Sequence, residues 1–205
     1  ELHRTGHKVI VMTCTRGGRG TSSVVQNLAA SCALHGQEVL LIDANFLHPT
    51  QHRLNEVDAT PGLIDLLTRD IALEQATKST GIEGLSVLPA GNLDTPHAEL
   101  FDRAAFDQLI QRCREDYDVV LIDAPPALLT SDSVILAQHC DATVFVVRAV
   151  QDRRGMIARM VRELEDHGGK NLGMILTGVQ PSAGGYFRES YREFYRYANR
   201  APDAT

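Results

Sequence analysis

Apolar residues in this chain gather into short continuous blocks rather than strict alternation. The blocks lie at 8–14 (KVIVMTC), 38–43 (EVLLID), 85–89 (LSVLP), 118–123 (DVVLID), 142–149 (ATVFVVRA) and 172–178 (LGMILTG). Runs of this length and apolarity predict strands covered on both faces, as in a parallel sheet. The segments between them change period. Ser23–His35, Ala104–Glu115, Asp132–His139 and Arg154–His167 carry apolar residues three and four apart, which predicts helices lying on that sheet. Pro61–Leu67 predicts a further short helix with proline in its first turn. Strand and helix alternating in this way predict an α/β fold: a doubly wound, mostly parallel sheet with helices on both faces. The division expected is one folded domain over 1–182 and a distinct tail or helix over 183–205.

Composition removes several classes of function. Twenty basic against 26 acidic residues give a formal net charge of −6, so no overall positive field recruits nucleic acid or anionic lipid. No apolar run approaches the roughly 20 residues of a membrane span, and no leader pattern opens the chain, so a cytoplasmic domain is expected. Cys14, Cys32, Cys113 and Cys140 are far apart and form no CxxC pair, so they are read as reduced core or helix residues. The eight histidines show no zinc spacing; His48 and His52 are read as part of a solvated loop.

Chemistry concentrates at strand ends. Thr15-Arg-Gly-Gly-Arg-Gly-Thr-Ser22 joins the first strand to the first helix, where glycines let backbone N–H groups close around phosphate. Gly17, Gly18, Arg19, Gly20, Thr21, Ser22 and Ser23 are the candidate nucleotide loop. The complete motif GxxxxGK[ST] has lysine where Thr21 stands, while Ser22 keeps the hydroxyl that would meet Mg²⁺. Asp43 and Asp123 each close an apolar strand at the edge where open α/β sheets bind ligands. Either can hold Mg²⁺ or act on a phosphoryl acceptor, and either can instead cap a turn.

The order of these pieces resembles the bacterial tyrosine kinases of polysaccharide export, relatives of the deviant-Walker ATPases. The segments that carry the likeness run along nearly the whole chain: Gln26-Asn-Leu-Ala-Ala30, Val39–Pro49, Thr60-Pro-Gly-Leu63, Leu85–Gly91, Tyr117–Pro126, Ser131-Asp-Ser133 and Val146-Val-Arg-Ala149. The resemblance implies ATP or ADP with Mg²⁺ as cofactors, and a partner that is a membrane polysaccharide co-polymerase subunit or domain, an active kinase of the family, or a second copy. It places Asp43 and Asp123 as catalytic carboxylates and Thr177 where the family reads adenine with asparagine. It also makes Tyr186, Tyr191, Tyr195 and Tyr197 candidate phosphoacceptors, although Phe187, Tyr191, Phe194, Tyr195 and Ala198 equally follow the spacing of an amphipathic helix. Glu1-Leu-His-Arg4 stands as a possible remnant of the family's subunit-joining motif, which leaves ring assembly open.

Departures from the family pattern bear on catalysis. Thr21 removes the phosphate cation; Asn45 and Leu47 replace the second acid and the arginine of Asp-x-Asp-x-Arg. An amide cannot take a proton from a tyrosine hydroxyl as a carboxylate can. Arg16 and Arg19 could lend a guanidinium to phosphate, but both are expected to point into solvent. The reading is a regulatory pseudokinase, with an active autokinase that uses arginine and a positioning-type ATPase as alternatives.

Overall fold

The structure is a computed structural model that describes residues 6–69, 71–95, 100–102 and 104–179 of the 205. All six expected strands form within one residue of their expected limits. They are β1 (Val9–Cys14), β2 (Val39–Asp43), β4 (Leu85–Leu88), β5 (Val119–Asp123), β6 (Ala142–Arg148) and β7 (Asn171–Thr177). A two-residue β3 (Lys78–Ser79) adds an antiparallel edge to β4. It was not expected from the sequence, because two half-polar residues carry no period. The sheet order is β3-β4-β2-β5-β1-β6-β7, and every pairing except β3 with β4 is parallel.

Alternate residues of each central strand feed two cores. On one side Ile10, Met12, Val39, Leu41, Val119 and Leu121 pack against Val25, Ala29 and Ala33 of α1 (Thr21–Leu34). On the other, Val9, Val11, Leu40, Ile42, Val120 and Ile122 meet α3 (Leu63–Thr68), α5 (Ala104–Asp116), α6 (Asp132–His139) and α7 (Arg154–Asp166). Both faces are therefore dry, which explains the continuous apolar blocks. The four cysteines are free, with Cys14, Cys113 and Cys140 buried and Cys32 half-buried on α1.

Three helix limits differ from expectation for local reasons. α1 starts at Thr21, two residues early, because left-handed Gly20 (φ 83°) delivers the chain directly into helix. His52 lies not in a loop but in a one-turn helix, α2 (Gln51–Leu54), with His48 in the turn before it. The helix expected from Pro61 begins at Leu63. The Asp65 carboxylate accepts the Gly62 N–H at 3.0 Å and the Asn92 N–H at 3.0 Å, so the entry is fixed at Gly62. A second one-turn helix, α4 (Leu73–Ala76), was too short to announce itself.

The same knot forbids a side chain at Gly62. A Cβ there would lie 2.5 Å from the Gly91 nitrogen and overlap the Pro89 carbonyl oxygen, both of them backbone atoms. Gly62→Ala is therefore expected to lower unfolding free energy by about 2–4 kcal/mol in urea melts, whereas Gly81→Ala, where a Cβ meets nothing, should change it little.

Candidate functional site

Parallel pairing of β2 with β5 sets Asp43 directly beside Asp123 at the carboxyl edge. β5 also pairs with β1, whose end opens into the glycine loop. Three chain segments thus converge where the crossovers diverge, the usual place for a ligand in an open α/β sheet. Gly18 and Gly20 take positive φ (77° and 83°), conformations that only glycine adopts cheaply, and a Cβ at Gly17, Gly18 or Gly20 would meet no neighbour.

Both carboxylates are fully buried. Asp43 accepts backbone N–H groups from Asn45 (3.2 Å), Thr50 (2.9 Å) and Gln51 (2.9 Å), so it ties down the loop that follows β2 and the start of α2. The turn-capping role left open by the sequence is real. Gln51, absent from the expected site, is also fully buried; its amide nitrogen donates to Asp123 Oδ2 at 2.7 Å and to the Ser22 carbonyl at 3.1 Å. One glutamine therefore links the acid of β5, the glycine loop and the loop held by Asp43. Nothing in the sequence marked it, because an isolated amide in a His-Pro-Thr-Gln stretch has no motif.

Burial pushes Asp43 up to about 7, with the neighbouring Asp123 charge adding to the rise and the three amide bonds opposing it. Burial also raises Asp123 to about 6, against hydrogen bonds from Gln51 and Ser22. The pair resists double ionisation, which is what a bound divalent cation would reverse. Asp123 Oδ1 is buried with no hydrogen-bond partner, and so is the Thr21 hydroxyl. An orphaned carboxylate oxygen beside a serine hydroxyl fits Mg²⁺, with Ser22 and Asp123 as the natural holders. Asp43 has most of its acceptor capacity committed to backbone and suits an indirect contact better.

Around the loop the basic residues divide. Arg19 does not point into solvent: it is buried, with Nε 3.0 Å from Asp152 Oδ1 and Nη1 2.5 Å from Gln151 Oε1. Asp152 also accepts the Thr15 hydroxyl (2.5 Å) and the Arg148 N–H (2.7 Å), so the turn after β6 is bolted to the glycine loop. The guanidinium that could have replaced the missing lysine is spent on a strut. Arg16 is exposed, as expected, and touches Met156 Sδ at 3.7 Å. Thr177 joins the site from β7, its hydroxyl 3.1 Å from the Arg19 carbonyl. Ser23 is exposed on α1 and its carbonyl accepts the Asn27 amide. Asn45 accepts the His48 N–H at 3.3 Å, and Leu47 is half-exposed, bringing no charge to the edge. Tyr186, Tyr191, Tyr195 and Tyr197 lie outside the described residues, as does Glu1-Leu-His-Arg4.

Sheet order, glycine loop and paired strand-end acids define a P-loop domain of the doubly wound type. Residues 7–166 match a family described as an AAA domain. The chain is 32% identical over 196 residues to the putative tyrosine-protein kinase EpsB of Ralstonia nicotianae, spanning 96% of this chain but only about a quarter (26%) of that protein. It is 30% identical to the tyrosine-protein kinase CpsD of Streptococcus agalactiae, over 88% of this chain and 79% of that one. The kinase domain of the Escherichia coli tyrosine kinase ETK superposes with a TM-score of 0.83 at 28% identity, covering 88% of this chain and 71% of that one. The Pyrococcus horikoshii septum site-determining protein MinD, solved with Mg-ADP, superposes at 0.70 with 25% identity over 82% and 69%. The chain belongs to the bacterial tyrosine-protein kinase family.

Two outcomes follow from this geometry. Because folding raises the Asp123 pKa, the ionised carboxylate costs stability as pH climbs from about 4 through about 6, and neutral Asp123 does not. Asp123→Asn should therefore gain on the parent as pH rises, reaching about 3 kcal/mol at pH 8 in urea melts without Mg²⁺, with the two proteins converging near pH 4. Asp152→Ala strands the buried Arg19 guanidinium and should cost about 3–5 kcal/mol, read by the same melts.

Proposed function

We propose that this domain is a regulatory pseudokinase: it holds Mg²⁺ and a nucleotide weakly and transfers phosphate poorly, serving polysaccharide export as a scaffold. One observation carries this reading. At the helix start where the family's lysine would stand, Thr21 presents a buried, uncharged hydroxyl, Arg19 is held by Asp152, and Arg16 lies exposed against Met156. The charge that gathers on a transferring phosphoryl group thus has no buried loop cation held ready to meet it.

The metal corner supports retained binding. Ser22 and Asp123 offer a hydroxyl and an uncommitted carboxylate oxygen, and backbone N–H groups at the start of α1 suit a phosphate. The loss falls on chemistry more than on shape. Asn45 adds to it as a poor proton acceptor, and Leu47 as an apolar residue in place of arginine.

The partner in this reading is a membrane polysaccharide co-polymerase or an active kinase subunit, met at the cytoplasmic face of the membrane. Among the described residues no helix is long and apolar enough to cross a membrane. Regulation by contact, rather than turnover, suits a site with an intact frame and a missing cation.

Calorimetric titration with ADP and Mg²⁺, paired with an assay for phosphotyrosine on the purified chain, tests the reading. Weak, Mg²⁺-dependent ADP binding with no self-phosphorylation is expected; robust phosphotyrosine would overturn it. Thr21→Lys should tighten ADP by about tenfold, the worth of one charge-assisted contact, while Asn45 still limits transfer.

A further inference from the structure

Four carboxylate oxygens meet at the edge of β2 and β5, and three of them are already engaged. Asp43 Oδ1 accepts the Asn45 N–H at 3.2 Å, and Asp43 Oδ2 accepts the Thr50 and Gln51 N–H groups at 2.9 Å each. Asp123 Oδ2 accepts the Gln51 side-chain amide at 2.7 Å, which leaves Asp123 Oδ1 buried and without a hydrogen bond. Neither acid therefore presents two open oxygens on one carboxylate. For Asp43 the backbone sees to this, and for Asp123 a single side chain does.

That side chain is itself fixed at both ends. Gln51 is fully buried, and the amide nitrogen that reaches Asp123 also donates to the Ser22 carbonyl at 3.1 Å. Both partners only accept, so the amide can face them in one sense alone, nitrogen inward. Asn55 meets the other end, its amide donating to the Gln51 backbone carbonyl at 2.9 Å and to Gln51 Oε1 at 3.4 Å. Gln51 also opens α2, so its backbone N–H serves Asp43 while its side chain serves Asp123. The Asp123 carboxylate is thus oriented before any cation arrives.

Divalent cations differ in what they ask of a carboxylate. Ca²⁺ gathers roughly six to eight oxygens and often grips both oxygens of one carboxylate, whereas Mg²⁺ keeps to an octahedron and holds several waters in it. A corner with one free carboxylate oxygen beside the Ser22 hydroxyl matches the second demand. We propose that Gln51 is the specificity-determining residue of this corner: by occupying Asp123 Oδ2 it denies Ca²⁺ a two-oxygen grip and leaves a single oxygen for Mg²⁺. The inference rests on the reading of this corner as a divalent-cation site held by Ser22 and Asp123, and it is independent of whether phosphate is transferred. With the amide gone, Asp123 can turn both oxygens to a cation, and the larger ion gains most.

Thermal melts of the nucleotide-free full chain across a series of MgCl₂ or CaCl₂ concentrations, at one ionic strength, give an apparent affinity for each ion from the rise in melting temperature. The parent should favour Mg²⁺, and Asp123→Asn should lose the response to both ions. Gln51→Leu, which removes the amide, and Gln51→Asn, which shortens its reach by one methylene, should each lower the Mg²⁺-to-Ca²⁺ affinity ratio by about tenfold, the lower end of what the partners of metal ligands contribute. Leucine strands Asp123 Oδ2 among apolar atoms while asparagine keeps a polar group nearby, so the second variant carries the test if the first does not fold. A glutamine that only supports the fold would lower both affinities together and leave their ratio where it was. An unchanged ratio in a folded variant, or a parent that favours Ca²⁺, would overturn the proposal and leave the cation site standing. A parent that responds to neither ion, or a response that survives Asp123→Asn, would overturn the cation site and the proposal with it.

Discussion

Two carboxylates side by side in a dry sheet edge set the terms for the rest of this molecule. Asp43 and Asp123 are neighbours because β2 and β5 pair in parallel with those residues in register, and neither has water to spread its charge. Such a pair persists only if the surroundings answer it. Backbone amides from 45, 50 and 51 answer Asp43, and that need shapes the loop after β2 into a tight return ending in α2. Gln51 answers half of Asp123 and in doing so reaches the glycine loop. What is left unanswered, Asp123 Oδ1, keeps the corner from being a closed polar knot.

The glycine loop obeys a second constraint of its own. In a P-loop with lysine, cation and phosphate organise each other; here the loop is organised by Asp152, which gathers Thr15, Arg19 and the Arg148 amide. An arginine placed inside a phosphate loop looks like a replacement for lysine only until its partner is known. The carboxylate sits some 130 residues away in sequence, and it turns the guanidinium from ligand into brace.

How much of this was legible in the chain follows from the range of the interactions involved. Strands came through because burial on both faces writes itself as local apolar blocks, and α5, α6 and α7 because one buried stripe repeats every three or four residues. Elements of one turn or two residues, α2, α4 and β3, have no room for a period and are set by tertiary contacts such as the amides around Asp43. Gly17, Gly18, Gly20, Ser22, Asp43 and Asp123 stood out as candidates because strand-end acids and glycine loops are local signatures, and the structure brings the two acids side by side at the sheet edge. Gln51 and Asp152 were not: each acts through partners distant in sequence and belongs to no motif. Arg19 was misjudged for the same reason, its exposure having been inferred from a loop whose counter-ion lay elsewhere.

The strut from Arg19 to Asp152 has a consequence for information flow. A phosphate loop that keeps its outline by internal bonds has little left to rearrange when a ligand arrives, and a conformational signal needs two outlines differing in energy by an amount the ligand can supply. Here the stiffness is built in ahead of any ligand. A partner resting on the turn after β6 would therefore feel a constant surface across the cell's swings in nucleotide, and any message the domain sends would have to be encoded in whether it is present and what is attached to it, not in what its loop contains.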